Sequence, residues 1–121
     1  MPWTGITSRF KGLGSRSPET ASEEVRLYFR RACLAAAEER YDVAFIFCGK
    51  ALEIDVAHLP TRLLVARIHH QGLHDVDAAV AAYRKVIALA GYEGDNPYCS
   101  AARAGLGALV DAEFASLPQN G

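Results

Sequence analysis

The densest set of groups able to do chemistry in this 121-residue chain is His69, His70, His74, Asp75 and Asp77. Imidazoles and carboxylates this close can ligate a divalent cation or titrate near neutral pH. Gly72, however, stands between His70 and His74 and is expected to end the helix before an i,i+4 ligand pair is complete. No Glu stands where a His-Glu-x-x-His hydrolase needs its base. The expectation is a polar turn that holds no metal, with a His/Asp metal-dependent enzyme as the remote alternative. The acid pairs Glu23-Glu24 and Glu38-Glu39 diverge by about 100° on a helix, so neither makes a two-carboxylate acid/base site. No phosphate-cradling Gly-Lys-Ser/Thr loop occurs, and no local signature couples a cysteine to a histidine. No catalytic residue and no cofactor are assigned, and a function other than catalysis is expected.

Bulk properties narrow the classes further. Thirteen Lys+Arg against 14 Asp+Glu give a formal net charge of -1, whereas nucleic-acid binders carry a basic excess or stripe. No nucleic acid is therefore expected as partner. The longest strongly apolar run, Val43 to Cys48, is six residues, far short of the roughly 20 that span a bilayer. Three dispersed cysteines, Cys33, Cys48 and Cys99, suit buried thiols in a reducing compartment better than a disulfide scaffold. With no apolar leader followed by a small-residue cleavage site, the expected location is the cytoplasm.

These groups must be positioned by helices. All 21 alanines lie between Ala21 and Ala115, and alanine both favours helix and lets helices approach closely. Helix punctuation brackets five elements: Ser17-Pro18 to about Glu38, Tyr41 to about Ile54, Pro60 to near Gly72, Asp75 to Gly91, and Asn96-Pro97 to about Leu117. Thr20 with Glu23 offers an alternative capping box for the first. No stretch alternates with period two, so the fold class is all-α. Residues 1–17 read as a flexible arm and 118–121 as a tail, with the helical domain over 18–117. The arm holds three cations and no acid, with Trp3, Ile6, Phe10 and Leu13 three to four residues apart. Such a stripe suits docking on the body; a membrane surface enters only as an alternative, through this arm.

A repeat is also present. Tyr41–Ile54 aligns with Val76–Leu89 at an offset of 35, matching Ala44 with Ala79, Cys48 with Tyr83, Lys50 with Lys85, Ala51 with Val86 and Leu52 with Ile87. This pattern resembles the second helix of tetratricopeptide repeats, where a small residue is followed four later by an aromatic or apolar one and then by Ala-Leu. Leu64, Val65 and Ile68 occupy the places of the family's first-helix core, which implies about two extra residues in the Gly72–Asp75 turn. Leu106-Gly107 keeps the Leu-Gly pair and reads as a close-packing site. The first helix departs from the pattern at Arg31 and Glu39.

The resemblance implies about two stacked helix pairs plus a closing helix, a right-handed superhelical α-solenoid fragment. It also implies a concave groove lined by the first, third and fifth helices. Carried over by position, the groove residues are Arg26, Phe29 and Cys33; Arg62, Ala66, His69 and His70; and Ala108 and Asp111, with Ala36 and Ala104 beside them. A mostly small and apolar surface edged by arginines suits an amphipathic helix or extended peptide of another protein. The implied function is a protein-binding adaptor or scaffold. Phe45 and Phe47 lie about 200° apart on the second helix, and with Trp3 and Phe10 they form a second candidate contact patch. The alternative reading is a homodimer or larger homo-oligomer whose groove is filled by its own arm or by a second copy.

Overall fold

The first helix, α1 (Pro18–Ala37), starts where Ser17 Oγ accepts the Thr20 N–H at 3.1 Å, so Ser17 rather than Thr20 is its cap. In this computed structural model, which describes residues 17–91 and 95–116, the arm, residues 92–94 and the C-terminal tail lie outside the described residues. The chain leaves α1 through Glu39 at φ 60°, with Arg40 N–H donating to the Ala35 carbonyl at 2.8 Å. It then enters α2 (Tyr41–Ile54). Asp55 Oδ1 accepts the Ala57 N–H at 3.2 Å and shapes the turn into α3 (Leu59–Arg67), with Pro60 in its first turn. Asp75 caps α4 (Val76–Ala90), and Asn96 Oδ1 accepts the Tyr98 and Cys99 N–H groups at the start of α5 (Pro97–Ser116). Five helices and no strand are found among the described residues.

Between α3 and α4 the structure departs from expectation. Past Arg67 the helix widens into a π turn over Ile68–Gly72, an element the sequence reading did not expect there. His74, at φ 54°, then turns the chain toward α4.

Packing follows chain order. α1 lies on α2, α3 on α4, and α4 on α5, with lighter contacts from α3 to α1, α2 and α5. Two apolar clusters result. One joins Leu63 and Ala66 of α3 to Ala79, Tyr83 and Val86 of α4 and Ala102 and Leu109 of α5. The other joins Ala35 of α1, Ala44 of α2 and Ile68 of the π turn, with Leu64 and Phe45 against it. Side-chain volume at the helix contacts is small: Ala32, Ala44, Ala51, Ala66, Ala79 and Ala102 are all 0% exposed. Positions 35 apart share the same environment, since Cys48 and Tyr83 are 1% and 2% exposed and Ala51 and Val86 both 0%. The close-packing glycine is Gly105, not Gly107. A Cβ on Gly105 would sit 2.3 Å from Tyr83 Cζ, whereas one on Gly107 would meet nothing within 4 Å.

Candidate protein-docking surfaces

The groove residues expected from the sequence separate into open and committed sets. On α1, Arg26 is exposed and donates to Ser22 Oγ at 3.3 Å, and Cys33 is half-buried. Phe29 sets its ring edge against His58, centroids 5.8 Å apart. On α5, Ala104, Ala108 and Asp111 are exposed. The α3 residues are otherwise engaged. Ala66 is fully buried against α4 and α5, and His70 Nδ1 lies 2.8 Å from the Tyr83 hydroxyl. His69 lies against Phe45 with the rings tilted and their centroids 4.9 Å apart, its Nδ1 buried without a hydrogen-bond partner among the described residues. Arg62 Nε donates to the Val56 carbonyl at 3.0 Å and ties down the α2–α3 turn.

The open side of this segment is the stripe of Leu64 and Arg67 on α3 and Gln71 in the π turn that follows. With Ala36, Ala37 and Tyr41 it lines a shallow cleft of about 260 Å³ between α1 and α3. Arg67 and Gln71 were not among the groove residues expected from the sequence. Leu63, Ala66 and His70, three to four apart, were the sequence signal for the α4-facing side of this segment.

The histidine-rich segment does not converge. His69 and His70 face different helices, His74 is exposed in the turn, and Asp75 Oδ1 accepts the Ala78 N–H at 3.2 Å as a cap. Among the described residues no group of three or more His, Cys, Asp or Glu side chains is placed to hold a metal ion. His58, whose Nδ1 lies 2.7 Å from buried Thr61 Oγ1, is held below the usual imidazole range by burial, against an opposing pull from Asp55. Burial, with Cys33 nearby, pushes the Cys48 thiol up to about 12, so this group is no nucleophile.

The second expected patch is covered in part from within. Phe47 stacks on Tyr28 at 6.4 Å and lies under the Arg31 guanidinium at 5.9 Å; Phe45 is occupied by His69. Arg31, which breaks the family pattern, thus serves as a cation over an aromatic face. Trp3 and Phe10 lie outside the described residues.

A surface that the sequence reading did not single out is also open. Val76 and Val80 of α4 with Leu106, Leu109, Val110 and Phe114 of α5 line a groove of about 510 Å³, bordered by Asp77, Glu113 and Arg84. Val110 is 50% and Phe114 66% exposed. The i, i+4, i+8 spacing of Leu106, Val110 and Phe114 was the legible signal.

No family model, no curated protein and no solved structure matches this chain. No helix among the described residues is long and apolar enough to cross a membrane.

Proposed function

We propose that the chain is a non-catalytic protein-binding module of tetratricopeptide-repeat-like helix pairs, acting in the cytoplasm as an adaptor, scaffold or assembly factor. It takes an amphipathic helix or extended peptide of a partner against the open side of α1, α3 and α5. The repeat reading is supported by the shared burial of Ala44 with Ala79, Cys48 with Tyr83 and Ala51 with Val86, each pair 35 residues apart. Stacked pairs bury one face and leave the other free for ligands.

The observation that carries the binding surface is the cleft between α1 and α3. Ala36, Ala37 and Leu64 give it an apolar lining, Arg67 and Gln71 edge it, and exposed Arg26 stands about 15 Å back along α1 from Ala36. That combination favours a peptide with an apolar face and one or two carboxylates. Selection of helical and extended peptides from a random library tests it. Selected peptides are expected to be acidic, and an Arg26→Ala/Arg67→Ala variant with unchanged helicity should bind them about tenfold more weakly, or less. Selected peptides without acidic residues, or equal binding by the variant, would sink the assignment. The second reading, self-association, is favoured by the apolar groove between α4 and α5.

A further inference from the structure

The α4–α5 groove needs an occupant, and its chemistry specifies one. Its floor is aliphatic and aromatic along one face of α5 from Leu106 to Phe114, about 12 Å at 1.5 Å per residue. Exposed apolar surface of this kind, rimmed by polar groups, marks an interaction site. The rim carries two carboxylates, Asp77 and Glu113, against one cation, Arg84. A groove between two antiparallel helices is filled by a third helix presenting apolar residues at three- and four-residue spacing.

One segment of this chain has those properties. Trp3, Ile6, Phe10 and Leu13 recur at helical spacing, and wound as a helix they extend about 15 Å, enough to cover the groove floor of about 12 Å. Residues 1–16 contain Arg9, Lys11 and Arg16 and no acid, which complements the acidic rim. Gly5, Gly12 and Gly14 cost a free helix about 1 kcal/mol each, so helix formation there would depend on docking.

The fold decides whose segment it is. Pro18 lies beside Ile54, Asp55 and His58, at the end of the bundle where α2 finishes and α3 begins. The groove uses the first half of α4 and the second half of α5, toward the opposite end, where Tyr41 meets Gly72. Across the bundle, α5 packs on α3 and α4 whereas α1 packs on α2 and, lightly, α3. α1 and α5 are not packed on each other, so more than one helix spacing of about 8–10 Å separates their axes. Along the axis Leu106 already lies about 13 Å past the start of α5, giving roughly 16 Å or more in all. The four residues from Leu13 to Ser17 span at most about 14 Å. Leu13 cannot reach the groove of its own chain. We propose that the groove receives residues 3–13 of a second copy, exchanged reciprocally, so that the protein forms a closed two-fold dimer. The proposal uses a different face from the α1–α3 cleft and stands or falls independently of it.

Trp3 is the sole tryptophan, so its fluorescence reports directly on the exchange. Sedimentation equilibrium of the full chain should give a concentration-dependent dimer, with Trp3 emission blue-shifted in the dimer and red-shifted on dilution. Val110→Glu/Phe114→Glu, at exposed positions, should weaken dimerisation about tenfold or more and red-shift Trp3 with helicity unchanged. Phe10→Ser/Leu13→Ser should weaken it similarly without touching the body. If Val110→Glu/Phe114→Glu loses helicity, Phe114→Ser is read by the same two measurements. A chain that stays monomeric throughout the micromolar range overturns the proposal, as does a blue-shifted Trp3 in a monomer. A dimer abolished by the groove variant but untouched by Phe10→Ser/Leu13→Ser overturns it too, in favour of direct groove-to-groove contact.

Discussion

Replacing Gly105 by alanine should destabilise the protein, although alanine is the better helix former. In an exposed helix interior the exchange gains about 1 kcal/mol. Here the new methyl would lie 2.3 Å from Tyr83 Cζ and 2.6 and 2.7 Å from its two Cε atoms. The ring cannot simply swing aside: Tyr83 is 2% exposed, and its hydroxyl pairs with His70 Nδ1 at 2.8 Å. Overpacking of a filled core costs about 1–3 kcal/mol, and breaking the part-buried hydrogen bond adds about 1 kcal/mol. Against the propensity gain, the net loss is about 1–3 kcal/mol. Gly107→Ala, on the same helix with nothing within 4 Å, isolates the propensity term and should stabilise by up to about 1 kcal/mol. Urea denaturation followed by far-ultraviolet circular dichroism measures both. The reasoning fails if Gly105→Ala matches or exceeds wild type, or if Gly107→Ala is the more damaging of the two.

Three further outcomes are expected. Tyr83→Phe removes only the hydroxyl, so its cost of about 1–2 kcal/mol in denaturant titrations should come from stranding His70, and pairing it with His70→Phe should restore part of the loss. Burial lowers the His58 pKa from its usual 6.5, so below pH 6.5 the unfolded chain takes up this proton before the folded one. The His58 contribution should therefore be complete above pH 6.5 and fall away as pH drops through the window down to the folded-state value; His58→Gln should flatten that part of the stability profile. With its thiol pushed up to about 12, Cys48 should resist iodoacetamide at pH 8 in the native state and alkylate rapidly in denaturant, and native labelling at the rate of a free thiol would contradict its burial.

The helices were legible because their ends are written in local chemistry. Ser17, Asp75 and Asn96 each accept backbone N–H groups where the sequence places caps, and these bonds depend on three or four neighbouring residues only. Helix rotation was less legible. The rotational setting of α3 depends on which of two apolar stripes faces which neighbour, and Leu63-Leu64-Val65-Ala66 satisfies several settings. Packing against Tyr83 and Ala79 selected the one that buries Ala66 and frees Arg67. The open groove was hidden for a related reason: Val110 and Phe114 look like core residues, and only the absence of a neighbouring helix among the described residues exposes them. The π turn was not legible, because its polar run His69-His70-Gln71 and closing Gly72 read equally well as an ordinary helix end followed by a turn.

Among the described residues α3 is the helix that feeds both apolar clusters, giving Leu63 and Ala66 to one and Leu64 and, through its π turn, Ile68 to the other. A single helix thus acts as a seam between two halves that are otherwise lightly joined. Opening along that seam would free the α1–α2 hairpin while Tyr83, Val86 and Ala102 stay covered. Hydrogen exchange in α1 and α2 can then proceed through a sub-global event cheaper than complete unfolding, leaving the amides of α4 as the slowest in the molecule.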